Sequence, residues 1–343
     1  MSIFDLAQLL LFKFDPERAH GLTIAALKLS PFRGALPAPS LGCRVAGIDF
    51  PSPIGLAAGF DKDAHVPDAM LGLGFGFVEV GTLTPLPQIG NPKPRLFRLV
   101  EDKGVINRMG FNNGGLVAAH ARLARRRRTG VVGVNVGANK ESVDRIGDYV
   151  TGIKAMADVA DYLTINISSP NTPGLRNLQD AGALRELLDA LIAARDPVDP
   201  PLFLKLAPDL KPDEVDAVVK VAIGKVDALI IGNTTLSRPP LLAPDAGEMG
   251  GLSGAPLRGL ATQRLRDFRT ATGGAIPLIA AGGVDSAESA YARIRAGASL
   301  VQLYSALVYE GPGLARRIAT GLAAHLVRDG FSTVTEAVGV DAV

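Results

Sequence analysis

Four asparagines, two lysines and one serine stand at or near the points where apolar runs give way to loops, and their types suit the handling of a small polar ring. Asn107, Asn166, Asn171 and Asn233 each bring a donor and an acceptor, which matches a heterocycle of alternating amide N–H and C=O groups. A single Asn is a common turn former; four converging ones are harder to read that way. Lys62 and the loop Asn107-Arg108-Met109-Gly110-Phe111 offer the cationic and backbone contacts a carboxylate needs. Lys205 sits in an otherwise apolar run, where a lysine is costly to bury unless an anion meets it. It is either a structural ion-pair partner or a cation that stabilises charge on a reduced flavin. Its run holds no carboxylate before Asp209, which favours the cofactor role. Gly282-Gly283 and Tyr304-Ser305 supply small residues and backbone N–H groups of the kind that cradle phosphate, although Gly-Gly alone is equally a tight turn. No G-x-G-x-x-G follows a strand, so a mononucleotide flavin fits better than a Rossmann-bound dinucleotide. No Ser-His-Asp set surrounds Ser169. That residue, between Ser168 and Pro170, is the candidate base and needs a relay through water or a hydroxyl.

Positioning these groups calls for a scaffold with one polar end. Short, nearly continuous apolar runs cover residues 53–58, 75–80, 131–136, 162–167, 201–206, 227–231, 276–281 and 299–303. This is the pattern of parallel strands buried on both faces. Helical segments such as 178–194 and 212–223 alternate with them. The alternation predicts an α/β protein, a (β/α)8 TIM barrel, with a doubly wound sheet as the alternative. Functional side chains of such barrels sit at the carboxyl ends of strands, where the groups above fall. Two long connections, 81–130 and 232–275, are expected to lie over the site.

Residues 1–40 stand apart as a two-helix hairpin before a barrel domain of residues 41–343. Ile3, Leu6, Ala7 and Leu10 recur at helical spacing. Asp15-Pro16 reads as an N-cap followed by Pro at the first helical position. A second helix runs through Leu22, Ala26 and Leu29 until Pro31. The hairpin is either a cap on the barrel or a membrane-surface element, because Phe4, Leu9, Leu11 and Phe12 leave its first helix apolar almost all round.

Composition narrows the classes. A net charge of +2 argues against a nucleic-acid partner. The lone Cys43 excludes a disulfide framework and Cys-based metal clusters, and no metal site is expected. No apolar run reaches membrane-spanning length, and Asp5 stands where a signal peptide would carry positive charge. The run Arg125–Arg128 reads as a solvated helix end, with a lipid contact as the lesser alternative.

Together the segments GLAAGFDKD, GFVEVGTLTP, KPRLFRL, INRMGFNN, NVGANK, NISSPNTPGLR, KLAPDL, NTTL, GGLSG, AGGVDS and GASLVQLYSAL closely resemble the quinone-linked class 2 dihydroorotate dehydrogenases. The resemblance spans residues 14–312. It implies oxidation of (S)-dihydroorotate to orotate through FMN, with a quinone as acceptor, in de novo pyrimidine (UMP) biosynthesis. Ser169 would remove the C5 proton while hydride passes from C6 to FMN; class 1 enzymes carry a cysteine there. The resemblance assigns FMN to Ala58, Gly59, Phe60, Asp61, Lys62, Thr82, Asn135, Asn166, Lys205, Gly232, Gly254, Gly283, Tyr304 and Ser305. It assigns dihydroorotate to Lys62, Asn107, Arg108, Met109, Gly110, Phe111, Asn166, Asn171, Asn233 and Thr234. Gly232 stands where relatives often carry a hydroxyl residue, so only its backbone can serve. The N-terminal helices, FDPERAH included, would form a quinone tunnel, with His20, Arg98 and Tyr304 at the quinone. A monomer resting peripherally on the cytoplasmic side of the cell inner membrane is expected. The rivals are a dihydropyrimidine or dihydrouridine flavin barrel with a cysteine acid, and a colourless non-redox barrel lyase or isomerase using Lys205.

Overall fold

A computed structural model describes residues 8–29, 34 and 37–342. Its strands in chain order begin with the hairpin β1 (Cys43–Val45) and β2 (Ile48–Phe50), which the apolar pattern did not reveal. β3 (Ile54–Leu56) and β4 (Phe77–Leu83) follow, then β5 (Leu96–Leu99) and β6 (Gly104–Asn107). β7 (Val131–Val136), β8 (Tyr162–Asn166), β9 (Leu202–Leu206) and β10 (Ala228–Ile231) precede β11 (Gly251–Gly254), β12 (Leu278–Ala281) and β13 (Ala298–Leu303).

Each of the eight apolar runs becomes a barrel strand. The order around the barrel is β3-β4-β7-β8-β9-β10-β12-β13, and β13 pairs back onto β3, so the sheet closes and the doubly wound alternative is excluded. All barrel neighbours run parallel. Register sets the depth of the polar groups: Gly81 pairs with Asn135, and Asn166 with Lys205.

The β1–β2 hairpin plugs the other end. Val45 and Phe50 pack with Phe77, Val131, Tyr162, Phe203 and Leu300, aromatic and apolar side chains at strand beginnings. The cavity lies at the opposite, carboxyl end. Over that end the two long connections contribute β5, β6 and β11, which join as an antiparallel sheet.

The barrel's outer helices form where apolar residues recur on one face. In Ala181–Ala194 the leucines at 184, 187, 188 and 191 are buried, and Asp180 caps the first turn by accepting from Gly182 N–H at 3.0 Å. Each such leucine contributes about 1.5–3 kcal/mol of burial. Arg126, placed by the sequence on a solvated helix end, is instead nearly buried and pairs with Asp68 at 2.7 Å; Arg128 pairs with Asp161 at 3.1 Å.

Before the barrel, residues 8–11 are helical and a second helix spans Pro16–Lys28. Asp15 caps it by accepting from Arg18 N–H at 2.9 Å, and Pro16 opens its first turn, where a missing N–H costs nothing. Ile3, Phe4, Asp5, Leu6, Ala7 and the stop at Pro31 lie outside the described residues. Among the described residues no helix is long and apolar enough to cross a membrane.

Candidate active site

The floor of the site is a buried polar cluster inside the barrel. Glu79 on β4 is fully buried and accepts from Asn135 Nδ2 at 2.7 Å, Gln302 Nε2 at 2.7 Å, Thr164 Oγ1 at 3.1 Å and the Tyr162 hydroxyl at 3.2 Å. Lys205 Nζ lies 3.9 Å from Glu79 Oε1. This corrects the expectation that Lys205 lacks a carboxylate: the partner comes from another strand rather than from its own. Burial pushes the Lys205 ammonium below the usual lysine range, and Glu79 opposes the shift.

Above the floor the amides interlock. Asn166 donates to Thr82 Oγ1 at 2.9 Å and Asn135 Oδ1 at 3.2 Å, and its Oδ1 accepts from Ser168 Oγ at 2.9 Å. Asn233 donates to Ser168 Oγ at 2.7 Å. Across the opening, Asn171 donates to the Asn107 backbone oxygen at 3.1 Å. Ser169 is buried, and among the described residues its Oγ has one hydrogen bond, accepted from Asn171 N–H at 3.2 Å. Arg176 holds this loop to its neighbour: it donates to the Ser168 carbonyl and the Thr234 carbonyl, both at 2.9 Å, and to Asp209 at 2.7 Å.

An anion cradle lies at the ends of β12 and β13. Among the described residues the N–H groups of Gly283, Val284, Tyr304 and Ser305 donate to no backbone acceptor, and all four residues face the cavity. Gly283 has φ +70, and a Cβ there would come within 2.5 Å of Arg258 Cα, so the turn requires glycine. Gly232 has φ +127, and a Cβ would meet the Ala281 carbonyl at 2.1 Å, so with this backbone no side chain fits. Behind the cradle Arg293, almost wholly buried, donates to the carbonyls of Gly282 at 2.9 Å and Arg258 at 3.0 Å.

Lys205 and Gln302 of the floor, the amides of Asn107, Asn166, Asn171 and Asn233, and the cradle line one cavity of ≈ 970 Å³, which continues to the helix Pro16–Lys28. There His20 meets Phe60 and Tyr304 with ring centroids 5.2 Å and 6.4 Å away. Burial, and secondarily Lys62, hold the His20 imidazole down to about 3, so it is neutral at physiological pH. Burial pushes the Tyr304 phenol up to about 12. Arg98 donates to the carbonyls of Leu11 at 3.2 Å, Phe12 at 3.3 Å and Phe14, and its guanidinium stacks 4.6 Å from the Phe12 ring centroid. Lys62 also lines the cavity and, among the described residues, has no ion-pair partner within 4 Å; burial lowers its ammonium to about 8.

Of the residues singled out in the sequence, Ala58, Gly59, Phe60, Lys62, Thr82, Asn107, Met109, Gly110 and Phe111 line this cavity. So do Asn166, Ser169, Asn171, Lys205, Gly232, Asn233, Thr234, Gly254, Gly283, Tyr304, Ser305, His20 and Arg98. Asp61, Arg108 and Asn135 are not among the lining residues. The Asp61 carboxylate accepts from Val66 N–H at 2.7 Å and His65 N–H at 2.8 Å, shaping the turn after β3. Arg108 pairs with Glu248 at 2.7 Å and lies 4.7 Å from the Phe97 ring centroid. Asn135 lies beneath the wall, bonded to Glu79 and Thr82. Sequence reasoning missed Glu79, Gln302, Ser168, Arg176 and Arg293. A signal existed for Glu79, a lone carboxylate inside an apolar run.

A closed parallel barrel with a deep polar site at its carboxyl end defines a (β/α)8-barrel enzyme. The family model described as Dihydroorotate dehydrogenase matches residues 40–326. A protein of Novosphingobium aromaticivorans called dihydroorotate dehydrogenase (quinone) is 61% identical, over 99% of this chain and 99% of its own. A like-named protein of Parvibaculum lavamentivorans is 54% identical, with 99% of each chain covered. The crystal structure of DHODH from Eimeria tenella in complex with ferulenol matches with a TM-score of 0.91 at 41% identity, covering 95% of this chain and 96% of that one. The chain belongs to the dihydroorotate dehydrogenase family and is an oxidoreductase. That membership sets aside the non-redox lyase or isomerase built on Lys205.

Proposed function

We propose that this protein oxidises (S)-dihydroorotate to orotate through bound FMN and passes the electrons to a membrane quinone, in the pathway that makes UMP. The observation that carries the reading is the single cavity joining Ser169 and Lys205 to His20 and Phe12, which gives substrate chemistry and an apolar acceptor one shared space. The quinone in the names of the bacterial relatives agrees with it.

The residues present fit FMN. The free N–H groups of Gly283, Val284, Tyr304 and Ser305 suit its phosphate. Lys205 places a cation in a floor otherwise built of neutral amides and hydroxyls around Glu79. Ala58, Gly59, Thr82, Asn166 and Gly254 would complete its surroundings. FMN would supply the acceptor for the hydride at substrate C6 and the carrier of electrons to the quinone.

The chain's own residues do the rest. Lys62, a cation that faces the cavity and has no ion-pair partner within 4 Å among the described residues, meets the substrate carboxylate. Asn107, Asn166, Asn171 and Asn233 read the ring's N–H and C=O groups. Ser169 Oγ takes the C5 proton and hands it to water as the C5=C6 double bond forms. His20, Arg98 and Tyr304 face the acceptor end, and the N-terminal helices rest on the cytoplasmic side of the inner membrane. The test is turnover with dihydroorotate and a ubiquinone analogue. Orotate and quinol formed in equal amounts support the reading; orotate formed only with a soluble dye rejects the quinone.

A further inference from the structure

Glu79 has no part in the chemistry proposed above, yet its fully buried carboxylate accepts from four side chains. A carboxylate only accepts. Asn135 therefore turns its NH2 toward Glu79 Oε1, at 2.7 Å, and its carbonyl away. That carbonyl receives the Thr82 hydroxyl at 2.6 Å and the Asn166 NH2 at 3.2 Å. Asn166 in turn faces its own carbonyl outward, where Ser168 Oγ donates at 2.9 Å and Asn233 Nδ2 lies at 3.5 Å. Every donor in the series points back toward Glu79.

Strand pairing fixes where these amides are, since Asn135 sits opposite Gly81 and Asn166 opposite Lys205. It leaves open which end of each amide faces which neighbour. In a buried, low-dielectric site two donors or two acceptors facing each other are costly, so the order is transmitted along the series. A neutral amide at position 79 donates and accepts alike and would impose no direction.

We propose that Glu79 is a positioning residue that acts through Asn135 to fix the orientation of the Asn166 amide, and with it the donor and acceptor pattern the cavity wall offers to a bound heterocycle. The proposal rests on the dihydroorotate reading of this site.

Holoenzyme carrying Glu79→Gln is compared with wild type for flavin content, kcat and KM for dihydroorotate. KM rises about tenfold or more while flavin is retained and kcat changes less. The double variant Glu79→Gln/Asn135→Asp returns an acceptor-only group to face Asn166, and KM comes back to within about threefold of wild type. A role in packing alone gives no such rescue. A Glu79→Gln KM within about twofold of wild type, or a double variant as impaired as the single one, overturns the proposal. Should Glu79→Gln not fold, neutron diffraction from the deuterated wild-type protein decides. An Asn135 amide group facing Glu79 and an Asn166 carbonyl facing Ser168 are expected; the reverse orientation overturns the proposal. Absence of dihydroorotate oxidation by the wild type would count against the function instead, and the diffraction result would stand regardless.

Discussion

Glu17 and Arg95 form a two-point ion pair, Nη2 to Oε1 at 2.7 Å and Nε to Oε2 at 3.0 Å. The pair ties the helix Pro16–Lys28 to the residue that immediately precedes β5, and so fastens the end of the cavity nearest His20 to the sheet over the barrel. Arg95 also donates to the carbonyls of Ile89 at 2.6 Å and Asn91 at 2.8 Å, so its cation is held whether or not the helix is docked.

Glu17→Ala leaves that guanidinium without its anion and costs about 1–3 kcal/mol of helix docking. Quinone turnover should fall, while reduction of a soluble dye by dihydroorotate persists. Arg95 lowers the Glu17 pKa, so the pair's stabilisation is complete above the ordinary carboxylate value and is lost as pH falls through the lowered one. Loss of dye reduction in step with quinone reduction would show that the pair supports the whole fold instead.

Lys62 yields a pH prediction. Its ammonium, lowered by burial to about 8, is charged below that pH and neutral above it. Dihydroorotate affinity should therefore weaken as pH rises through about 8, giving kcat/KM a descending limb there. Lys62→Ala should raise KM by about 10–200-fold, the worth of a charge-assisted hydrogen bond, and remove that limb. A limb that survives in the variant assigns it to another group.

His20 is half-buried and neutral, with its pKa held near 3 in the folded chain against 6.5 when unfolded. Between those values the unfolded chain binds a proton that the folded one does not, so this contribution to stability is lost as pH falls from 6.5 toward 3. His20→Gln should flatten the acid limb of the stability curve, by about 1–3 kcal/mol near pH 4. Parallel curves for variant and wild type in thermal unfolding would contradict the assignment.

Ser169→Ala removes the hydroxyl proposed to take the C5 proton. Its kcat should drop about 10²–10⁴-fold at neutral pH, with flavin still bound. Turnover within about tenfold of wild type would place the base elsewhere.

Much of this architecture was legible because strands buried on both faces must be apolar throughout, and runs such as 131–136 and 201–206 say so without ambiguity. The β1–β2 hairpin was not, because its turn is Ala46-Gly47 at φ 49 and 81, not the Asn-Gly or Asp-Gly pair that signals such turns. β5 alternates partly exposed and buried residues, too short a pattern to separate from loop. The four asparagines were found because they end strands or open loops, where polar side chains have a reason to be. The Lys205 partner was missed because an ion pair inside a closed barrel joins strands far apart in sequence, and proximity was sought only along the chain. Asp61 and Arg108 sit in motifs beside the cavity while their side chains serve the loops, a distinction that spacing does not carry.

The measurement that bears most directly on the central claim is the visible spectrum of the purified protein under anaerobic conditions. Dihydroorotate should bleach a bound flavin, and a ubiquinone analogue added next should restore it. A yellow protein that dihydroorotate leaves unbleached, or one that bleaches and is not restored by quinone, would contradict the account.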